Sequence, residues 1–202
     1  VLFRLSEREH LFLTVTHHII SDGWSLSVFF KELEHLYHAS ATGCAPELPR
    51  LSAQYGDFAA WQQQKAQSDT FESDVRFWQE KLAAAPAAVD LPTDHPRPDR
   101  PGFRGAQFTL TFHEPFYESI IELNHDIGTT VFMLLMASLG IVLSRWSGQR
   151  DMVLGTVVAC RTRREIENLI GCFMNFLPVR MTFTGLQTGV DLLQHIKANI
   201  IE

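Results

Sequence analysis

A chain of 202 residues that is 46% hydrophobic and 20% charged has the composition of an ordinary folded protein with enough apolar material for a core, which excludes a disordered segment. Its formal net charge of −6 argues against a nucleic-acid or anionic-membrane surface, since both favour clustered Lys and Arg. The longest apolar stretch, Val131 to Leu143, is too short to cross a hydrocarbon core of about 30 Å, no targeting segment is visible, and Cys44, Cys160 and Cys172 show no metal or redox spacing, so reduced thiols in the cytoplasm are expected.

In chain order, His10 to Thr16 is rich in β-branched and large apolar residues and reads as a strand that delivers His17 and His18 to its end. Asp22 then stands where it can cap a helix whose inward face repeats at Leu26, Phe29, Phe30, Leu33, Leu36 and Tyr37. Residues 43–49 carry Gly and two prolines and read as a loop. Helical material follows from Ser52 to about Ala83, with a second face at Phe71, Val75, Phe77, Trp78 and Leu82. Pro86, Pro92, Pro96, Pro98 and Pro101 exclude both a long helix and a central strand, so 86–102 is expected to be a linker between a domain over 1–85 and another over 103–202. Beyond it, Ala106 to Phe112 alternates like a strand, Phe116 to Ile127 has helical spacing, and Thr130 to Trp146 reads as a buried helix. Asp151 to Ala159 and Phe176 to Phe183 read as strands, Arg163 to Leu169 as a short helix, and Val190 to Ile201 as a helix. Strands alternating with helices indicate an α/β protein built in layers.

Three segments share an ordered pattern. His17-His18-Ile19-Ile20-Ser21-Asp22-Gly23, continued by Trp24-Ser25, resembles the His-His-x-x-x-Asp-Gly signature of the condensation domains of nonribosomal peptide synthetases. Tyr55-Gly56-Asp57-Phe58-Ala59-Ala60-Trp61 resembles that family's Tyr-x-Asp-Tyr/Phe-Ala-x-Trp, and Ile170 to Arg180 resembles its Ile-Gly-x-Phe-Val-Asn-Thr-x-x-x-Arg. Phe176 stands where the family usually has Thr, Met174 where it has Val, and Thr16 where a Met commonly precedes the histidines; none of these removes a reactive group. The resemblance implies two chloramphenicol acetyltransferase-like lobes in a V with a tunnel between them. The family's Arg-His-Glu-x-Leu-Arg segment would lie upstream and its bridging segments downstream. The chain is therefore expected to be a middle fragment, with 1–85 ending the first lobe and 103–202 opening the second, and the fragment alone is not expected to be active.

The implied reaction is amide synthesis from two thioesters carried on the 4'-phosphopantetheine arms of upstream and downstream carrier proteins, beside an adenylation domain. No cofactor or metal is expected to bind this chain itself, and neither nucleic acid nor membrane is an expected partner. By resemblance His18 is the catalytic residue. An imidazole titrating near about 6.5 can take a proton at neutral pH, and an α-amine near about 7.7–8.0 is partly deprotonated already, so a histidine there either accepts the proton or positions the amine. His17, its neighbour on an extended segment, is expected to point the other way and act structurally. Asp22 is read as a cap or buried ion-pair partner, with Arg161 its candidate mate. Gly23 permits backbone conformations denied to other residues, and its amide either donates to an oxyanion or only completes the turn. Trp24 and Ser25 flank the tunnel by resemblance, though Trp24 also suits core packing. Asn175 either holds substrate amides or makes a structural hydrogen bond. Tyr55, Asp57 and Trp61 do not share a helix face and are read as structural, and His35 and His38 as a solvated pair without a third ligand. The Asp-Gly-Trp-Ser form most resembles the subtype joining two L-residues. Two alternatives stay open: a stand-alone acyltransferase using coenzyme A or a carrier, and an inactive condensation-like docking module.

Overall fold

Two short strands open the chain. In the computed structural model, which describes residues 1–96, 98–100, 102, 105–185 and 188–201, β1 (Leu2–Arg4) pairs antiparallel with β2 (His10–Phe12), Leu2 opposite Phe12 and Arg4 opposite His10. The strand expected to reach Thr16 ends at Phe12, because pairing runs out where the Leu13 amide meets the Val1 carbonyl at 2.7 Å. Thr14 to Thr16 have no ladder partner among the described residues, and Val15 is left 87% exposed. A short 3₁₀ turn, His18–Ile20, follows.

Helix α1 (Gly23–Thr42) starts at the Asp22 cap and stops at Gly43, whose left-handed φ of 71° a side chain would disfavour. The face expected to turn inward is only partly covered. Phe29 stacks on Phe12 with ring centroids 6.5 Å apart, whereas Phe30, Leu33, Leu36 and Tyr37 stay exposed, because no described element packs over them. Helices α2 (Tyr55–Lys65) and α3 (Asp69–Lys81) realise the helical stretch expected from Ser52. In α2 the Gln54 amide donates to Asp57 Oδ2 at 2.7 Å, a capping box that fixes the helix start.

The described prolines of the 86–102 segment lie outside any helix or strand, and Pro101 lies outside the described residues. Residues 106–112, expected to be a strand, form none. Phe108 is 88% exposed, and no strand among the described residues receives their backbone groups. Helix α4 (Glu114–Ile127) precedes α5 (Val131–Ser147), which Thr130 caps by accepting the Met133 amide at 3.3 Å and which ends at left-handed Gly148. The helix expected to be buried is buried on one side only. Met133, Met136, Ala137 and Gly140 face the core, and Leu135 and Leu139 are open. Strands β3 (Asp151–Val158) and β4 (Asn175–Thr182) pair as a two-stranded sheet, with a 3₁₀ turn at Arg164–Ile166 between them, and α6 (Gly189–Ile201) closes the described chain. No single helix among the described residues is long and apolar enough to cross a membrane.

By internal contacts the chain divides into two units, 1–77 with 157–177, and 78–156 with 178–202. This differs from the expected division at 86–102. The reason is visible in the bonds: Asp22, Ser25 and Tyr55 hold 161–173 to the first unit. That unit's core is small, Ile166, Leu169 and Phe173 against Tyr55 and Phe58. The second unit's core is larger, with Met152, Met181 and Ile196 fully enclosed among Met133, Met136, Val179, Leu192 and Leu193. Burying each such side chain contributes roughly 1.5–3 kcal/mol. Also within the second unit, Arg180 grips Asp151 bidentately at 3.0 and 2.7 Å and donates to the carbonyls of Lys81 and Ala83. That pairing holds the Asp151 carboxyl below the usual carboxylate range.

Candidate active site

The site grows from the start of α1. Asp22 is extended (φ −122°, ψ 178°) and buried, and its Oδ1 accepts the Ser25 amide at 2.8 Å, as an N-cap must. The same Oδ1 receives Arg161 Nη2 at 3.2 Å, and Oδ2 receives the Phe173 amide at 3.0 Å. Both oxygens are therefore committed. Burial pushes the carboxyl up, but the hydrogen bonds from Ser25, Phe173 and Arg161 outweigh it and bring the pKa down from 3.8 to about 2.

Arg161 is as enclosed as its partner, with 1% of its side chain exposed against 4% for Asp22. Its Nη1 donates to the carbonyls of Ile166 and Leu169 at 2.6 and 2.8 Å, its Nη2 also reaches Ser25 Oγ at 2.8 Å, and the guanidinium lies 4.1 Å over the Phe173 ring. One side chain thus ties the 166–169 turn to the start of α1.

Ser25 was expected beside the tunnel, and here the structure differs. It is fully buried, and its hydroxyl donates to the Gly171 carbonyl at 2.7 Å while accepting the Gly171 amide at 3.0 Å. A hydroxyl spent on both groups of one residue and on Arg161 has no face left for a ligand. Gly171 is in turn pressed against Tyr55, whose ring occupies the space a Cβ would need. Tyr55 donates its hydroxyl to the Cys172 carbonyl at 2.9 Å and packs edge-on against Phe173 at 5.1 Å. Trp61 packs tilted against Phe58 and carries Arg163 at 4.9 Å.

The histidines sit on this frame's outer side. His17 caps the 3₁₀ turn, its Nδ1 accepting the Ile19 amide at 3.1 Å, and His18 opens that turn with its imidazole exposed. The two residues therefore meet the turn from different positions, rather than alternating along a strand. Gly23 has no positive φ, so the conformational freedom expected of it is not what the turn uses; a Cβ there would meet nothing within 4 Å. Its amide is the first of α1 and meets no acceptor among the described residues. Trp24 is half-exposed rather than in a core and donates Nε1–H to the Glu167 carbonyl at 2.8 Å. Asn175 is exposed at the start of β4, where its Oδ1 accepts the Phe176 amide at 2.9 Å; no described bond joins it to His18.

Sequence reasoning missed Cys172. Its Sγ lies 3.8 Å from His18 Nδ1, a contact across 154 positions that no spacing rule reveals. Phe173, part of the third motif, lies under the Arg161 guanidinium, a placement no local pattern records.

Comparison with known proteins agrees with this architecture. The chain is 38% identical over 200 residues to malpinin synthetase of Mortierella alpina, a match that covers 99% of this chain and 3% of that protein. Its fold superposes on the X-domain solved in complex with OxyB from teicoplanin biosynthesis with a TM-score of 0.86 at 28% identity, over 99% of this chain and 45% of that one. The first condensation domain of the calcium-dependent antibiotic synthetase shares the fold with a TM-score of 0.79 at 23% identity, over 99% of this chain and 46% of that one. The chain thus spans a small fraction of the curated relatives it matches and just under half of the solved domains. The condensation-domain family model covers residues 1–202, and with the His-His-x-x-x-Asp-Gly segment built into the site as described, the chain belongs to the condensation-domain family.

Proposed function

We propose that this domain joins an aminoacyl or peptidyl thioester to the amine of a second aminoacyl thioester, both carried on phosphopantetheine arms of upstream and downstream carrier proteins beside an adenylation domain. It is then an amide-forming acyltransferase, its fold divided between the end of one acetyltransferase-like lobe and the start of a second, and of the subtype that joins two L-residues in the cytoplasm. The observation that carries this reading is an exposed imidazole, His18, mounted against a frame in which Asp22, Ser25 and Arg161 are all paired and enclosed. Such a mount holds a proton-handling group still while leaving it open to a substrate.

In this reaction the amine nitrogen bonds to the carbonyl carbon, the carbon–sulfur bond breaks, and the thiol leaves on the donor arm. The proton shed by nitrogen goes to His18 as base, or is directed by it as the amine's hydrogen-bond partner. The Gly23 amide, which meets no acceptor among the described residues, supplies an oxyanion donor, and the absence of a Cβ keeps the approach clear. Trp24 and Asn175 are read as lining the substrate path, His17 as support for the turn, and Asp22 and Arg161 as its structural lock.

In the intact protein, His18→Ala is expected to lower dipeptidyl-carrier formation about 10²- to 10⁴-fold, the usual worth of a general base, with an unchanged melting temperature. Intact-protein mass spectrometry of the downstream carrier measures this. Full condensation by a well-folded variant would remove His18 from the chemistry. A second reading, a docking module, draws on the similarity to an X-domain solved with a partner protein. It requires that His18→Ala leave every function of the domain intact.

A further inference from the structure

Cys172 is a reactive side chain beside His18 that the proposed chemistry does not use. Its Sγ lies 3.8 Å from His18 Nδ1, and among the described residues no other hydrogen-bonding group meets that ring. The backbone that carries the sulfur is over-determined. Gly171 before it is held on both sides by Ser25 Oγ, the Phe173 amide after it by Asp22 Oδ2, and its own carbonyl by the Tyr55 hydroxyl. Asp22 and Ser25 begin the helix that follows the His18 turn, so thiol and imidazole are fastened to one frame. The other end of the turn is fixed as well, since the Ile19 amide donates to His17 Nδ1 at 3.1 Å.

We propose that Cys172 is a positioning residue for His18: its sulfur accepts the Nδ1–H and so selects the neutral tautomer whose bare lone pair is on Nε2, the nitrogen presented to the amine. The two ring nitrogens of an imidazole are not equivalent, and the bond made by one decides which can act as base. A carbonyl or carboxylate is the commoner partner, and sulfur is a weaker acceptor. The contact therefore biases and aims the ring rather than activating it strongly. This inference rests on the role proposed above for His18.

The variants are Cys172→Ala, which removes the acceptor, and Cys172→Asn, whose side-chain carbonyl restores one within reach of the ring. Because the Cys172 side chain is only half-buried, neither is expected to alter the fold, and thermal melting checks this. In the full-length protein labelled with ¹⁵N-histidine, the wild-type His18 signals should report the Nδ1–H tautomer. Cys172→Ala should give a mixture of both forms, and Cys172→Asn should return the first. With saturating loaded carriers, Cys172→Ala should lower kcat roughly 3- to 30-fold, a part of the 10²–10⁴ that a general base supplies, with KM within about twofold, and Cys172→Asn should recover most of that loss. An Nε2–H tautomer in the wild type, or the same tautomer and kcat in wild type and Cys172→Ala, overturns the proposal. The tautomer measurement needs no turnover. If His18→Ala proved fully active while the tautomer followed Cys172 as described, the role of His18 would fail and the contact would stand.

Discussion

At the scale of single residues, Asp22 decides how the site is held. It accepts two backbone amides and an enclosed guanidinium, so Asp22→Ala leaves Arg161 buried without its counter-ion and α1 without its cap. The cost expected for that combination is about 3–5 kcal/mol, and thermal or urea unfolding should show it alongside lost activity. An unchanged melting temperature with abolished turnover would instead make Asp22 a chemical participant. Its titration gives a second handle. Because the folded carboxyl titrates at about 2 against an ordinary 3.8, the charged form is favoured in the folded state. The stabilisation is full above about pH 4 and is lost as pH falls toward 2, at about 1.4 kcal/mol per pH unit across the gap, or about 2 kcal/mol in all. Unfolding free energies measured from pH 5 to pH 2 should fall more steeply for the wild type than for Asp22→Asn by about that amount. Parallel curves would mean that the buried pair is not what acid breaks.

At the scale of elements, two glycines make opposite predictions. Gly171 is packed against the Tyr55 ring, so Gly171→Ala must push α2 or the 170–173 segment aside, at a cost of about 1–3 kcal/mol in the melting curve. Gly23 faces open space, so Gly23→Ala should leave stability unchanged, and under the proposed oxyanion role its methyl group should lower condensation by crowding the thioester. Loss of stability at Gly23 together with tolerance at Gly171 would reverse these assignments. The same elements show what a sequence can carry. The cap at Asp22, the extent of α1 to Gly43 and the helical stretch from Ser52 were legible because each depends on a few neighbouring residues. The strand at 106–112 was not: alternation marks a strand only when another strand accepts its backbone bonds, and none does among the described residues. Arg161 could be proposed as the mate of Asp22 because an enclosed carboxylate needs a cation. That Ser25 is spent on Gly171, and that Cys172 meets His18, depends on how the 157–177 segment returns to α1, which no local pattern records.

At the scale of the whole molecule, the proline-rich segment that marks a boundary in the sequence is not where contacts divide the chain. The His18 frame draws 157–177 into the first unit, and the Arg180 clamp gathers Asp151, Lys81 and Ala83 within the second. The three motifs that carry the resemblance converge accordingly. Tyr55 supports the 171–173 segment, that segment bonds Asp22, and Asp22 caps the helix that follows the turn bearing His18. A frame of this kind suits the proposed reaction, in which two carrier arms would bring their thioesters to one exposed imidazole. The most direct test loads matched aminoacyl groups either on cognate carrier proteins or on coenzyme A and compares amide formation by the full-length protein. The account predicts turnover with the carrier-bound pair and little or none with coenzyme A thioesters and a free acceptor. Equal or faster reaction with coenzyme A would contradict it and place the domain with the stand-alone acyltransferases.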